Sequence, residues 1–389
     1  MYSKDQQTLD NDKKFIVSHE EQGLSNTPDR VQMANGKFAL RVGGFNAQRI
    51  GVFKTPRGLG HRCGDFIYKK TSQTNAELMT DLSKFKSFTK DSVGLIGVSV
   101  GYVDWGKGND NTGDGLSWAT AKGSLSAGYS LNTDILLVRA GFYNRANRLG
   151  AISLNKSRAI IAIGGIVITG CIATGIWTKT TGKTNVYQMN YTSGLTNVTS
   201  SVYDTAVLNE QISPTSYQGL DSIVEVDATP GSFYHDAAAF ITYVHAVDSR
   251  DLVMHGNELR LTQPVESSVI TWTGNFKLYV ENIEFWGGDI GNCIKLISNG
   301  GNYKNSVFYN KNCTFAGTRD GTGGNGLAVR DIGICISDDS ICTANRRDGF
   351  NYHAWLAGES GVQGLNPHFV EVNCRAHGNG INGDESNNQ

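Results

Sequence analysis

A chain of 389 residues is long enough for two or three ordinary domains, or for one elongated repeat domain with an N-terminal appendage. Its 35 basic and 36 acidic side chains nearly cancel, so no net field favours nucleic acid or an anionic membrane surface. Charged residues make up 18 %, Gly takes 47 positions and Pro only 6, a profile that disfavours long solvated helices and suits short strands broken by turns.

Residues 1–95 carry more Lys and Asp and fewer Val and Ile than the remainder, and are expected to form a separate attachment or neck region. The N-terminus is polar, with no basic stretch leading into an apolar one, so no signal peptide is expected. Within residues 75–85 the spacing of Leu78, Leu82 and Phe85 predicts a helix capped by Asn75 or Thr74. From Val93 the texture changes. Residues 95–103 alternate as a strand, residues 104–115 form an Asp/Gly/Asn loop, residues 117–131 open as a short amphipathic helix, and residues 134–143 return to strand. The loop lacks the ligand order of a calcium-binding EF-hand, so no metal is expected there. A helix at this place would cover the apolar open end of a stack of strands.

The apolar run over residues 159–177 contains Gly164, Gly165, Gly170 and Gly175 among Ile, Val and Thr. That composition belongs to strands and turns, so no membrane insertion is expected. Cysteines stand at 63, 171, 293, 313, 335, 342 and 374, an odd number with no C-x-x-C pair. Neither zinc binding nor a full disulfide framework is indicated, and buried reduced thiols are expected. A Gly-rich match to the dinucleotide pattern at residues 321–326 is followed by no helical pattern, so no nucleotide cofactor is expected.

Four segments share one grammar: Asn282-Ile-Glu-Phe-Trp-Gly, Asn312-Cys-Thr-Phe-Ala-Gly, Ile341-Cys-Thr-Ala and Asn373-Cys-Arg-Ala-His-Gly. Recurrence at about 30 residues with strand texture signals a solenoid. With one repeat per coil, Ile283, Cys313, Cys342 and Cys374 would form one inward column, and Phe285, Phe315, Ala344 and Ala376 a second, two residues on. Asn282, Asn312 and Asn373 would stack at the bend, and Glu284, Thr314, Thr343 and Arg375 would face out. The expected fold is therefore an all-β, right-handed parallel β-helix over residues 96–389. The spacing of 8–12 residues typical of an antiparallel sandwich is not evident.

The segment from residue 95 to 143 resembles the entrance of pectate-lyase-like β-helices, and residues 230–245 (PGSFYHD…ITYVH) resemble a motif of the same group. Residues 348–353 (DGFNYH), 367–374 (PHFVEVNC), 379–380 and 386–389 (SNNQ) resemble the mid-helix signature of bacteriophage tailspikes. In that family the pattern continues beyond such a segment, so the coil domain is expected to be incomplete at its C-terminal end. The resemblance implies a virion location on the phage tail, a bacterial surface polysaccharide (capsule or lipopolysaccharide) as ligand, virion tail proteins as partners and a homotrimeric assembly. It implies no cofactor.

Glycoside hydrolysis needs two carboxylates, and carboxylates on stacked coils can reach the required separations. Counting back from an inward Cys374, Glu371 should face outward, with Asp348 one coil away as its partner. His353 is the expected base of a lyase alternative, and Arg375 would neutralise or orient substrate. Trp286, Tyr352, Trp355 and Asp339 complete the expected groove, since aromatic rings pack on sugar faces and carboxylates meet hydroxyls. A glycan-binding spike or adhesin without cleavage, and a bacterial polysaccharide lyase, remain open beside the depolymerase.

Overall fold

The computed structural model describes residues 99–380 apart from residues 145, 171–175, 191–200, 263–267, 289–291, 302, 319–323 and 354–366, and it describes the backbone of five short strands between residues 30 and 80. The fold is a parallel β-helix. One wall stacks Gly150–Leu154, Ser268–Trp272, Ile294–Ser298, Leu327–Arg330 and Phe350–His353 in parallel. A second stacks Val100–Val103, Ile135–Tyr143, Arg158–Thr169, Lys277–Glu281, Val307–Lys311, Ile334–Asp338 and His368–Val372. The third continues from the distal half of Arg158–Thr169 through Ile283–Trp286, Thr314–Ala316, Ile341–Thr343 and Arg375–His377.

Period-two alternation decides what the walls enclose. On the second wall Leu278, Phe308 and Cys335 pair in succession and are fully buried in the central core, with Phe285 and Phe315 stacked beside them on the third wall (centroids 5.5 Å apart, 9° between planes). Intervening residues such as Tyr279, Tyr309 and Ile336 belong to a separate outer cluster. The helix Leu125–Ser130, capped by the Ser124 hydroxyl, sends Leu125 and Tyr129 into the central core at its first coil, as the sequence leads one to expect. The described part of this run lies in the strand Arg158–Thr169, and among the described residues no helix is long and apolar enough to cross a membrane. In the Asp/Asn loop, Asp104, Asn109, Asp110 and Asp114 each accept backbone N–H groups of the loop and its neighbours, an ordinary loop's use of such side chains.

Three expectations are corrected. The helix expected over residues 75–85 is instead the strand Ala76–Thr80, because pairing with Phe66–Lys70 overrides a local period. Residues 177–262 do not form coils. Their described residues build a three-stranded antiparallel sheet, a five-stranded mixed sheet in which only Gln218–Gly219 and Ser232–Asp236 pair in parallel, and the short helices Ile223–Ala228 and Leu252–His255 around a core of their own, and the segment 230–245 lies there as an antiparallel hairpin. This insertion rests on the third wall: the rings of Tyr203 and Trp286 lie 5.9 Å apart, and Ser213 Oγ is 2.8 Å from Thr343 Oγ1.

The third correction concerns the cysteine column. Thr314 pairs with Ile341 and Phe315 with Cys342, so Ser340, not Cys342, follows Cys313. The Cys313 N–H donates to Ser340 Oγ at 3.2 Å. Ile341 pairs with Arg375 and Cys342 with Ala376, which sets Cys374 after Ser340. The true columns are Ile283–Cys313–Ser340–Cys374 and Phe285–Phe315–Cys342–Ala376, because the coil from 313 is two residues shorter than the motif spacing suggests. A two-residue slip keeps the face, so Cys342 is still fully buried. Burial pushes the Cys293, Cys335 and Cys342 thiols far up, and that of Cys313 to about 12, so all four are packing groups rather than nucleophiles.

Candidate functional site

The residues expected to form one groove are dispersed over several faces. Glu371 pairs with Ser337, below Asn310 and Val280, and therefore lies on the inner face of the second wall. There it accepts a 2.9 Å hydrogen bond from the Tyr352 hydroxyl, while Tyr352 stacks on Phe369 at 4.3 Å. Glu371 is exposed on this last described coil, yet partial desolvation there pushes its carboxyl above its ordinary value, and the Tyr352 hydroxyl pulls it the other way. The parity count failed at Asn373, whose φ of 53° is left-handed: one such residue breaks the alternation, so Val280 and Ile283 both face inward across Asn282.

Asp348 lies in the same coil as Glu371, not one coil away. It occupies the turn before Phe350–His353, where its carboxylate accepts from the Asn351 amide and its backbone N–H donates to Asn325 Oδ1. His353 pairs with Arg330 on the first wall, and its side chain lies outside the described residues, as does Trp355. Trp286, expected in the groove, is 2 % exposed beneath Tyr203 and donates its indole N–H to Glu284. Arg375 faces out on the third wall and is exposed. The structure thus brings Glu371 and Tyr352 together, and it separates them from Asp348, Asp339, Arg375 and Trp286.

What the fold does assemble is a polar strip along the corner between the second and third walls. Asn282, Asn312, Asp339 and Asn373 occupy this corner on four successive coils, all with φ between 48° and 59°. Asn and Asp tolerate this left-handed conformation, and a stacked amide can bond its neighbour. Asn312 Nδ2 donates to Asn282 Oδ1 at 2.7 Å. At the third rung the amide is replaced by the Asp339 carboxylate, which is exposed and, among the described residues, has no hydrogen bond or ion pair.

Beside the corner, Glu281, Lys311 and Asp338 follow one another on the outer face of the second wall. The Tyr279 hydroxyl donates to Glu281 at 2.7 Å and the Tyr309 hydroxyl to Asp338 at 3.0 Å, with Lys311 Nζ 4.0 Å from the buried Asp338. Across the corner stand Glu284, Thr314, Ile341 and Arg375, with Arg260 of the insertion 3.6 Å from Glu284. Two rungs separate Glu281 from the 338–339 coil, about 9.5 Å at the backbone given the strand spacing. That places half-buried Glu281 and exposed Asp339 near the upper limit for an inverting carboxylate pair. Among the described residues no His/Cys/Asp/Glu group is arranged to hold a metal.

A parallel β-helix with an acid- and tyrosine-lined corner is the class of protein that this geometry defines. No protein-family model matches the chain, and no curated sequence does. Among solved structures it is similar to XylC in complex with xylose (12 % identity, TM-score 0.38, covering 72 % of this chain and 58 % of that one). It is also similar to a glycoside hydrolase (10 % identity, TM-score 0.46, 73 % and 74 % covered) and to pectate lyase Pel9A (10 % identity, TM-score 0.19, 73 % and 80 % covered).

Proposed function

We propose that this protein is a glycan depolymerase of the bacteriophage-tailspike kind, located on the virion tail. It would be anchored to tail proteins through residues 1–95, assembled as a homotrimer, and directed at a bacterial capsule or lipopolysaccharide. The single observation that carries the chemistry is the break in the corner ladder, where a carboxylate with no partner among the described residues stands at Asp339 in a position that three neighbouring coils fill with Asn. An exposed acid held on a rigid corner is available to a ligand. In this reading Glu281 and Asp339 flank a glycosidic bond as acid and base, and a water takes the gap between them. Lys311 and Arg375 orient the sugar, while Tyr279 holds the Glu281 carboxylate.

Asp339→Asn is a clean test because it installs the residue the corner already accepts. Incubated with host surface polysaccharides and assayed for new reducing ends, Asp339→Asn and Glu281→Gln should each lose roughly a hundredfold or more in rate, the scale of one acid–base group. Binding should persist. Full activity in both variants sinks the assignment. Unsaturated uronate absorbing near the ultraviolet edge would mark a lyase instead, and binding with no product from any glycan would mark a non-catalytic spike.

A further inference from the structure

We propose that Trp105 and Arg139, on the first coils of the helix, form a second glycan subsite that takes a carboxylated sugar unit; this rests on the polysaccharide reading above. Trp105 is 48 % exposed, yet it is rigidly held. Its backbone N–H donates to the buried Tyr143 hydroxyl at 3.3 Å, and that hydroxyl donates to the Arg139 carbonyl at 3.0 Å. The indole lies on the backbone of Gly141, where a Cβ would stand 3.0 Å from Cδ1 and 3.1 Å from Nε1. No other residue gives the ring this seat.

Arg139 is fixed in the same frame. Its Nε–H donates to Asp104 at 2.8 Å, and its guanidinium lies 4.6 Å from the centre of the Trp118 ring, which is braced by Tyr102 at 5.0 Å. One nitrogen is therefore engaged and one face is stacked. Among the described residues the two Nη groups have no acceptor, in a side chain 53 % exposed. An exposed indole seated on Gly141, two residues along the strand from an open guanidinium fork at Arg139, suits a pyranose ring bearing a carboxylate, because Arg matches that group bidentately and the ring packs on indole.

The patch also lines up with the corner strip. Leu137 and Ile161 begin the outer column that continues through Glu281, Lys311 and Asp338, and Arg139 and Ile163 pair two residues further along the same strands, on the side of the corner. Four rungs lie between the Arg139 strand and the Asp339 coil, about 19 Å along the axis. A glycan of several units laid along the helix would span both, the patch holding the chain while the corner acts on it.

The test uses the full chain and an immobilised panel of uronate-containing bacterial and plant polysaccharides, each beside its carboxyl-reduced counterpart. Trp105→Ala and Arg139→Gln are expected to weaken binding to at least one carboxylated member by roughly tenfold or more, the scale of a lost charge-assisted hydrogen bond. Arg139→Gln should leave binding to the reduced counterpart unchanged, and Trp105→Phe should restore most of the binding lost in Trp105→Ala. Unchanged melting of each variant establishes that the coil is intact. If no carboxylated glycan binds, or if both variants bind as well as the wild type, the subsite is wrong. Glu281→Gln separates the two readings: cleavage lost with patch-dependent binding kept supports both, while binding that depends on the corner and not on Trp105 overturns the subsite alone.

Discussion

Replacing Phe315 by Ala tests the inward columns directly. Phe315 is fully buried, stacks on Phe285 at 5.5 Å with 9° between planes, and pairs with Cys342 on the next coil. Neither neighbour can fill the space of a missing ring, since both are held by their own strands. Truncation therefore removes both the transfer free energy and the contacts on two sides, about 3–5 kcal/mol in all. Thr314, one residue earlier, faces out and is half-buried, so Thr314→Ala should fall within about 0.5 kcal/mol of the wild type. Urea unfolding followed by far-ultraviolet circular dichroism reads both, with the difference taken from the shift in midpoint at constant slope. A loss below about 1 kcal/mol for Phe315→Ala, or equal losses for the two variants, would refute the inward–outward alternation on the third wall.

The corner ladder predicts that Asn312→Gly loses about 1 kcal/mol with the amide bond to Asn282, whereas Asn312→Val loses about 1–3 kcal/mol more, because a β-branched residue resists a φ of 48°; the same urea assay ranks them, and equal losses would deny the strain. Glu371 predicts a pH dependence. Its folded-state value lies above its unfolded one, so the folded protein binds more protons and stability falls as pH rises from about 4.5 upward. The gain in stability of Glu371→Gln over the wild type should widen through that range and vanish below it. A gain that narrows with rising pH would contradict burial as the cause.

The repeat of Asn-Cys/Ile-x-Phe segments was enough to read a β-helix, because inward columns need apolar residues at every second position of every coil, and Gly and Asn must turn each corner. Phe285 and Phe315 declare themselves in this way, and so do the corner residues Asn282 and Asn312. The short helix over the first coil is legible for the same reason, since a capping Ser and two apolar residues one turn apart are local signals.

Face and neighbour across a corner are not local. The bend at Asn373 was legible, but its left-handed φ breaks the alternation, so a parity counted through it put Glu371 on the outer face instead of the inner one. A coil two residues shorter than the motif spacing moved Cys342 from Cys313 to Phe315 without altering its polarity pattern. The insertion over residues 177–262 has the same strand texture as the coils, and it buried Trp286, which by sequence looked like a groove aromatic. Alternation along one strand is written in the chain because each residue constrains its nearest neighbours. Which carboxylates share an outer edge depends on how many residues each turn consumes, and that is decided only when the coils are stacked.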